Sequence, residues 1–199
     1  MSAVPRQPEG FAGLRMSADE YLALGETHDR YELIDGVVVM SPSPTPSHSE
    51  VINEVVYQLK AFARGPNAPR VFTDTDLRVG PSVVYRPDLA AYLPARLPRS
   101  PAALSSPPDL VAEVLSPSNR ALDLITKRRD YERFGVGEYW IFDPQTVQVR
   151  ACQRPAADQP FVESLVTADA LPSRIFPGFT LDLRPVRAIM RAAGAEPGE

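Results

Sequence analysis

The chain has 199 residues, 44% of them hydrophobic, with a formal net charge of -4; that is enough for one sizeable core in a single α/β (α+β) domain and too acidic to coat nucleic acid by charge alone. A single cysteine, Cys152, excludes an intramolecular disulfide and a thiolate-rich zinc site. No run of about 18 apolar residues is present to span a bilayer, and the first residues lack the apolar core of a secretory signal, so the expectation is a cytoplasmic protein without membrane contact.

The 22 prolines gather in residues 42–46, 94–108 and 155–160, where they punctuate folded segments. Residues 1–15 read as a Pro/Gly-bearing flexible lead, 16–186 as the folded domain and 187–199 as an Ala-rich tail that ends in Gly and Pro. Ser17-Ala18-Asp19-Glu20 has the pattern of a capping box and predicts a short helix from Ala18 to Leu24, with Met16 and Tyr21 as its hydrophobic staple. Tyr31–Asp35, Gly36 and Val37–Ser41 predict a hairpin, because β-branched and aromatic residues flank a Gly turn.

Ser47-His48-Ser49-Glu50 reads as a second capping box. Ile52, Val55, Val56, Leu59, Phe62 and Ala63 follow it at helical spacing, up to Gly65-Pro66. Residues 70–79, 84–93 and 109–116 then predict three strands with no helix between them, which implies a mixed or largely antiparallel sheet. A helix over Asn119–Phe134, closed by Gly135, leads to strands Glu138–Asp143 and Val147–Cys152, with Phe161–Val166 extending that hairpin.

Within Asp109–Ser116, alternation places Val111, Glu113 and Leu115 on one face and Leu110, Ala112 and Val114 on the other. Glu113 is then a carboxylate in a strand that is apolar on both faces. Desolvating it alone costs several kcal/mol, so it requires a pairing partner, a hydrogen bond or a metal ion. Arg86-Pro87-Asp88 interrupts another apolar strand, because Pro87 lacks a ladder donor, and two acids on neighbouring strands suit oxygen ligation of Mg²⁺. On the following helix, Lys127 falls on the inward stripe with Tyr131 and Phe134, while Arg128, Arg129 and Arg133 supply the solvent side. His48 falls on the inward stripe of its helix with Ile52, Val55 and Leu59.

Each residue also has a bland reading. Glu113 could be a structural ion-pair partner, Asp88 a turn former, Lys127 a snorkelling amine, His48 part of a helix end and Glu32 a surface acid. Lys60, Arg64 and the cations of the later helix could line a DNA-facing edge or simply be solvated.

Several ordered blocks carry a resemblance: Tyr31-Glu32-Leu33-Ile34-Asp35-Gly36, Pro87-Asp88, Asp109–Ser118, Lys127, Tyr131 and Gly135-Val136-Gly137-Glu138-Tyr139-Trp140. Over residues 16–185 they resemble the Uma-two family of restriction-endonuclease-like proteins, within the PD-(D/E)XK nuclease superfamily. That resemblance implies a four-stranded mixed sheet flanked by helices, presenting an Asp, a Glu and a Lys to a divalent metal and a phosphodiester. The superfamily places its Lys two residues after the Glu, a position occupied here by Leu115, and the resemblance implies that Lys127 fills the role. It further implies Glu32 as an additional acid and His48 at the same mouth. Mg²⁺ or Mn²⁺ would then be held by Asp88, Glu113 and the carbonyl of Val114, with DNA as substrate and, by analogy, a homodimer cutting both strands. The competing functions are a catalytically silent nuclease-like scaffold that binds nucleic acid or protein, and a small-molecule phosphodiesterase.

Overall fold

The computed structural model describes residues 10–25, 27, 29–62, 65, 68–97 and 103–195. Residues 1–9 of the lead, Ala63, Arg64 and Pro66 at the end of the second helix, residues 98–102 of the Pro-rich loop and the tail over 196–199 lie outside them.

Helix α1 (Ala18–Leu22) opens on the expected capping box: Ser17 accepts the Glu20 N–H while the Glu20 carboxylate accepts the Ser17 N–H. Strands β1 (Tyr31–Ile34) and β2 (Val37–Met40) form the expected hairpin. Asp35 and Gly36 both have positive φ, 49° and 76°, which a two-residue turn matched to strand twist demands.

Helix α2 (Pro46–Phe62) differs at its start from the predicted capping box over 47–50. Thr45 is the cap, its Oγ1 accepting the His48 N–H at 3.3 Å. Pro46 takes the first helical position, where a missing N–H is harmless. The predicted strand over 70–79 is two strands, β3 (Arg70–Phe72) and β4 (Leu77–Gly80), which belong to different sheets. Asp74, at φ 52°, turns the chain between them, since Asp tolerates the left-handed region. The predicted strand over 84–93 likewise divides into β5 (Val83–Tyr85) and β6 (Leu89–Tyr92) around Arg86-Pro87-Asp88.

Strands β7 (Leu110–Val114), β8 (Glu138–Asp143), β9 (Gln148–Gln153) and β10 (Val162–Leu165) complete a six-stranded sheet of order β10-β9-β8-β7-β6-β3. Within it β7 and β8 are parallel and the other neighbours antiparallel, so the sheet is mixed, with β3 and β10 enlarging the four-stranded core implied by the resemblance. A parallel pair needs a crossover, and the crossover carries a π-helical turn (Leu122–Lys127) running into α3 (Arg128–Phe134). Gly135, at φ 97°, ends α3. A smaller sheet of order β2-β1-β5-β4 is not hydrogen-bonded to the large one but packs against it; β11 (Ala170–Pro172) and β12 (Thr180–Asp182) form a separate ladder before α4 (Leu183–Ala195).

Alternation on β7 decides what covers each face. Leu110, Ala112 and Val114 join a core with Val51, Val55 and Leu59 of α2 and Val186 and Met190 of α4. Val111 and Leu115 join a second core with Tyr131 of α3 and with Leu77 and Tyr85 of the small sheet. The free Cys152 is buried in this second core, where burial pushes its thiol up to about 11. Glu113 projects on the side of Val111 and Leu115, toward the crossover helix and the small sheet.

Candidate active site

Glu32 on β1, Asp88 just before β6, Glu113 on β7, Lys127 in the π-helical turn and His48 in the first turn of α2 line one cavity of about 240 Å³, together with Val114 and Asp123. The acids come from different layers because the small sheet, the large sheet and the crossover meet there.

Lys127 is the hub. Its Nζ lies 3.0 Å from Glu32 Oε1, 3.1 Å from Glu113 Oε1 and 3.3 Å from Asp123 Oδ1, and all four side chains are 4% exposed. The ammonium also sits 5.4 Å from the centre of the Tyr85 ring. Burial alone would lower its pKa, but the carboxylates of Glu113, Glu32 and Asp123 outweigh that and hold it well above the usual lysine range.

One cation cannot neutralise three buried acids. Burial pushes Glu113 well above the usual carboxylate range despite Lys127, and the charges of Asp88, Asp123 and Glu32 add to the rise. Burial likewise takes Asp123 up to about 6 against the pull of Lys127. Glu113 also accepts a hydrogen bond from Tyr131 at 3.0 Å on Oε1 and one from the Asp88 N–H at 3.3 Å on Oε2. Glu32 is buried and tied down: Oε1 accepts the Arg86 N–H at 2.8 Å and Oε2 the Ser41 hydroxyl at 3.3 Å.

Asp88 behaves differently. Burial pushes it upward, but His48, hydrogen-bonded through Nε2 at 2.9 Å, the Val114 N–H at 2.8 Å and the charge of Lys127 hold it below the usual range. The same burial thus acts on Asp88 and Glu113 with opposite outcomes, because His48 and the Val114 N–H favour the Asp88 carboxylate while neighbouring acids disfavour that of Glu113. Pro87 accounts for the local geometry: it ends pairing at β5 and leaves Asp88 reaching across to the backbone of β7.

The snorkelling reading of Lys127 and the surface reading of Glu32 do not match this burial. Arg128 and Arg129, considered for a basic edge, are paired with Glu163 at 3.1 Å and Asp130 at 2.9 Å.

Sequence reasoning passed over Asp123. Its i, i+4 spacing to Lys127 was visible, but an acid in a first helical turn ordinarily favours the helix dipole at the surface. The π-helical turn carries both Asp123 and Lys127 inward, a distortion found often at functional sites. Asp123 Oδ1 lies within ion-pair distance of Nζ, at 3.3 Å, but has no well-aligned hydrogen bond.

Among the described residues, no three His, Cys, Asp or Glu side chains are already spaced to hold a metal ion. The donor set fits a hard cation in its chemistry, since Asp88, just before β6, and Glu113, on the adjacent β7, bring carboxylate oxygens to one cavity that Val114 also lines. The surplus of acids over the one ammonium of Lys127 also favours added positive charge.

Among the described residues no helix is long and apolar enough to cross a membrane. No curated protein matches the chain. A crystal structure described as "a putative nuclease belonging to DUF820 from Anabaena variabilis" shares the fold, with a TM-score of 0.74 at 20% identity, covering 88% of this chain and 99% of that one. The Uma2 family, described as "Putative restriction endonuclease", matches residues 18–184. With that match spanning most of its length, the chain belongs to the Uma2 family of restriction-endonuclease-like proteins.

Proposed function

We propose that this protein is a metal-dependent endonuclease that hydrolyses phosphodiester bonds in DNA, with a working domain that starts at about residue 16 and includes α4, whose Met190 lies in the core beyond the expected boundary at 186. The observation that carries this reading is the meeting of Asp88 and Glu113 in one cavity with the buried ammonium of Lys127. Asp88, Glu113 and the Val114 carbonyl would hold Mg²⁺ or Mn²⁺. When bound, such an ion lowers the pKa of water and polarises a phosphoryl oxygen.

The chain's own residues divide the remaining work. Lys127, held charged by its three carboxylates, stabilises the negative charge that grows on the phosphoryl oxygens in the transition state. Its raised pKa assigns it that electrostatic and orienting role and removes it as a general base at neutral pH. Glu32 fixes the Nζ position from the small sheet and stands as a second acid toward the reacting water, while His48 fixes the Asp88 carboxylate. A homodimer would bring a second copy of the site to the opposite strand.

Incubation of supercoiled plasmid with wild type in Mg²⁺, Mn²⁺ or EDTA tests this reading. Nicking with either metal, lost in EDTA and in Glu113→Gln, is the expected result. Hydrolysis of bis(p-nitrophenyl) phosphate without nicking would shift the substrate to small diesters, and neither reaction in wild type contradicts the enzyme reading.

A further inference from the structure

We infer that Arg30 grips a backbone phosphate of the substrate beside the Asp88 position, so that the substrate is an extended phosphodiester chain rather than a compact diester. This deepens the nuclease reading and rests on it for the identity of the reacting site.

Arg30 immediately precedes β1, and its carbonyl accepts the Ser41 N–H at 2.8 Å, which pins its backbone at the open end of the β1–β2 hairpin. From there it lines the cavity that holds Asp88 and Glu113, and also a second hollow whose wall carries Ser49, Asn53 and Thr73 together with the carboxylates of Asp74 and Asp88. The two spaces share Arg30, Pro44, His48 and Asp88, so they adjoin at Asp88. A small diester needs only the first space; a nucleotide chain threading the reacting position must place a neighbouring phosphate in the second.

Three cations line the first cavity: Arg30, Arg86 and Lys127. Lys127 is held among three carboxylates at the reacting centre itself, and the Arg86 Nε is bound to Asp76 at 2.9 Å. Arg30 is differently placed. Its Nε is buried without a hydrogen-bond partner, a donor whose desolvation is uncompensated until an oxygen reaches it. Among the described residues its ion pair is to Asp74 at 2.5 Å, an aspartate whose side chain is 52% exposed, and pairs of that kind hold weakly against water. A guanidinium with an unbonded Nε and an exposed, displaceable carboxylate partner has the donor geometry for two phosphate oxygens at once, with the hydroxyls of Ser49 and Thr73 and the amide of Asn53 lining the same hollow. Asp74 occupies the place a phosphate would take, and its displacement would free the second half of the fork.

The experiment is fluorescence anisotropy of a labelled single-stranded oligonucleotide in EDTA, across a range of salt, with wild type, Arg30→Ala, Arg30→Lys and Asp74→Asn. Arg30→Ala should weaken binding roughly tenfold and flatten the log affinity against log salt slope by about one, with partial recovery in Arg30→Lys. Asp74→Asn should tighten binding, because the competing carboxylate is gone while Asn still accepts the left-handed backbone. Inorganic phosphate at matched phosphate concentration should not displace the oligonucleotide. The assignment is overturned if Arg30→Ala keeps the wild-type affinity and slope, if Asp74→Asn weakens binding as Arg30→Ala does, if wild type binds no oligonucleotide, or if free phosphate competes it away. Arg30-dependent binding without metal-dependent nicking would overturn the nuclease reading alone, whereas nicking with unchanged Arg30→Ala binding would overturn the Arg30 assignment alone.

Discussion

Replacing Lys127 with Met keeps most of the side-chain volume and deletes the charge. Glu32, Glu113 and Asp123, each within 3.3 Å of Nζ, are then left buried without their counter-ion. Breaking a buried ionic network by removing one partner costs about 3–5 kcal/mol. For a chain of this size each kcal/mol shifts Tm by about 2–4 °C, so the expected drop is roughly 6–20 °C. The sign of its pH dependence follows from the acids. Burial pushes Glu113 well up and Asp123 up to about 6 even with Lys127 present, and without it both rise further. An acid whose folded value is raised binds its proton more tightly folded than unfolded, so below those values the carboxyls are neutral and the missing ammonium matters little. Melting followed by circular dichroism should therefore show a wide Tm gap between wild type and Lys127→Met near about pH 8 and a narrower one near about pH 5. A gap of the same size at both pH values, or a variant as stable as wild type at the higher one, would refute the hub role of Lys127.

Asp123→Asn removes a carboxyl that must ionise in a buried place. Wild type loses stability as pH rises from the unfolded value through about 6, so the variant should gain on it by something on the order of 3 kcal/mol across that window; urea unfolding at both ends checks this, and parallel pH profiles would contradict it. Gly137 precedes β8 with no room for a side chain, since a Cβ there would lie 2.7 Å from the Asp109 carbonyl oxygen and 2.8 Å from Ile175 Cδ1. Gly137→Ala should lower stability by about 1–3 kcal/mol, read as a fall in urea midpoint with an unchanged slope, and a midpoint equal to wild type would show that the loop around Ile175 yields freely.

Glu113 was legible because alternation along β7 left one charge in an apolar strand, and the same alternation divided the two cores that the structure contains. Lys127 and His48 were legible from helical stripes. The split of residues 70–79 was not, because β3 and β4 have similar composition and only pairing to different partners separates them. The cap at Thr45 was obscured by the many hydroxyl residues around it, although Pro46 was the clue that decides it. Asp123 and Arg30 escaped for a different reason: the first depends on a π-helical turn, and the second on Asp74 and on a hollow formed by elements distant in sequence. What periodicity cannot supply is which polar groups of separate elements meet.

If Asp88 and Glu113 together hold a divalent ion, calorimetric titration of Mn²⁺ and Mg²⁺ into wild type, Asp88→Asn and Glu113→Gln reads it most directly. Saturable binding in wild type that is lost in both variants, each still folded by circular dichroism, is the predicted result. No binding in wild type, or binding that survives in Glu113→Gln, would contradict it.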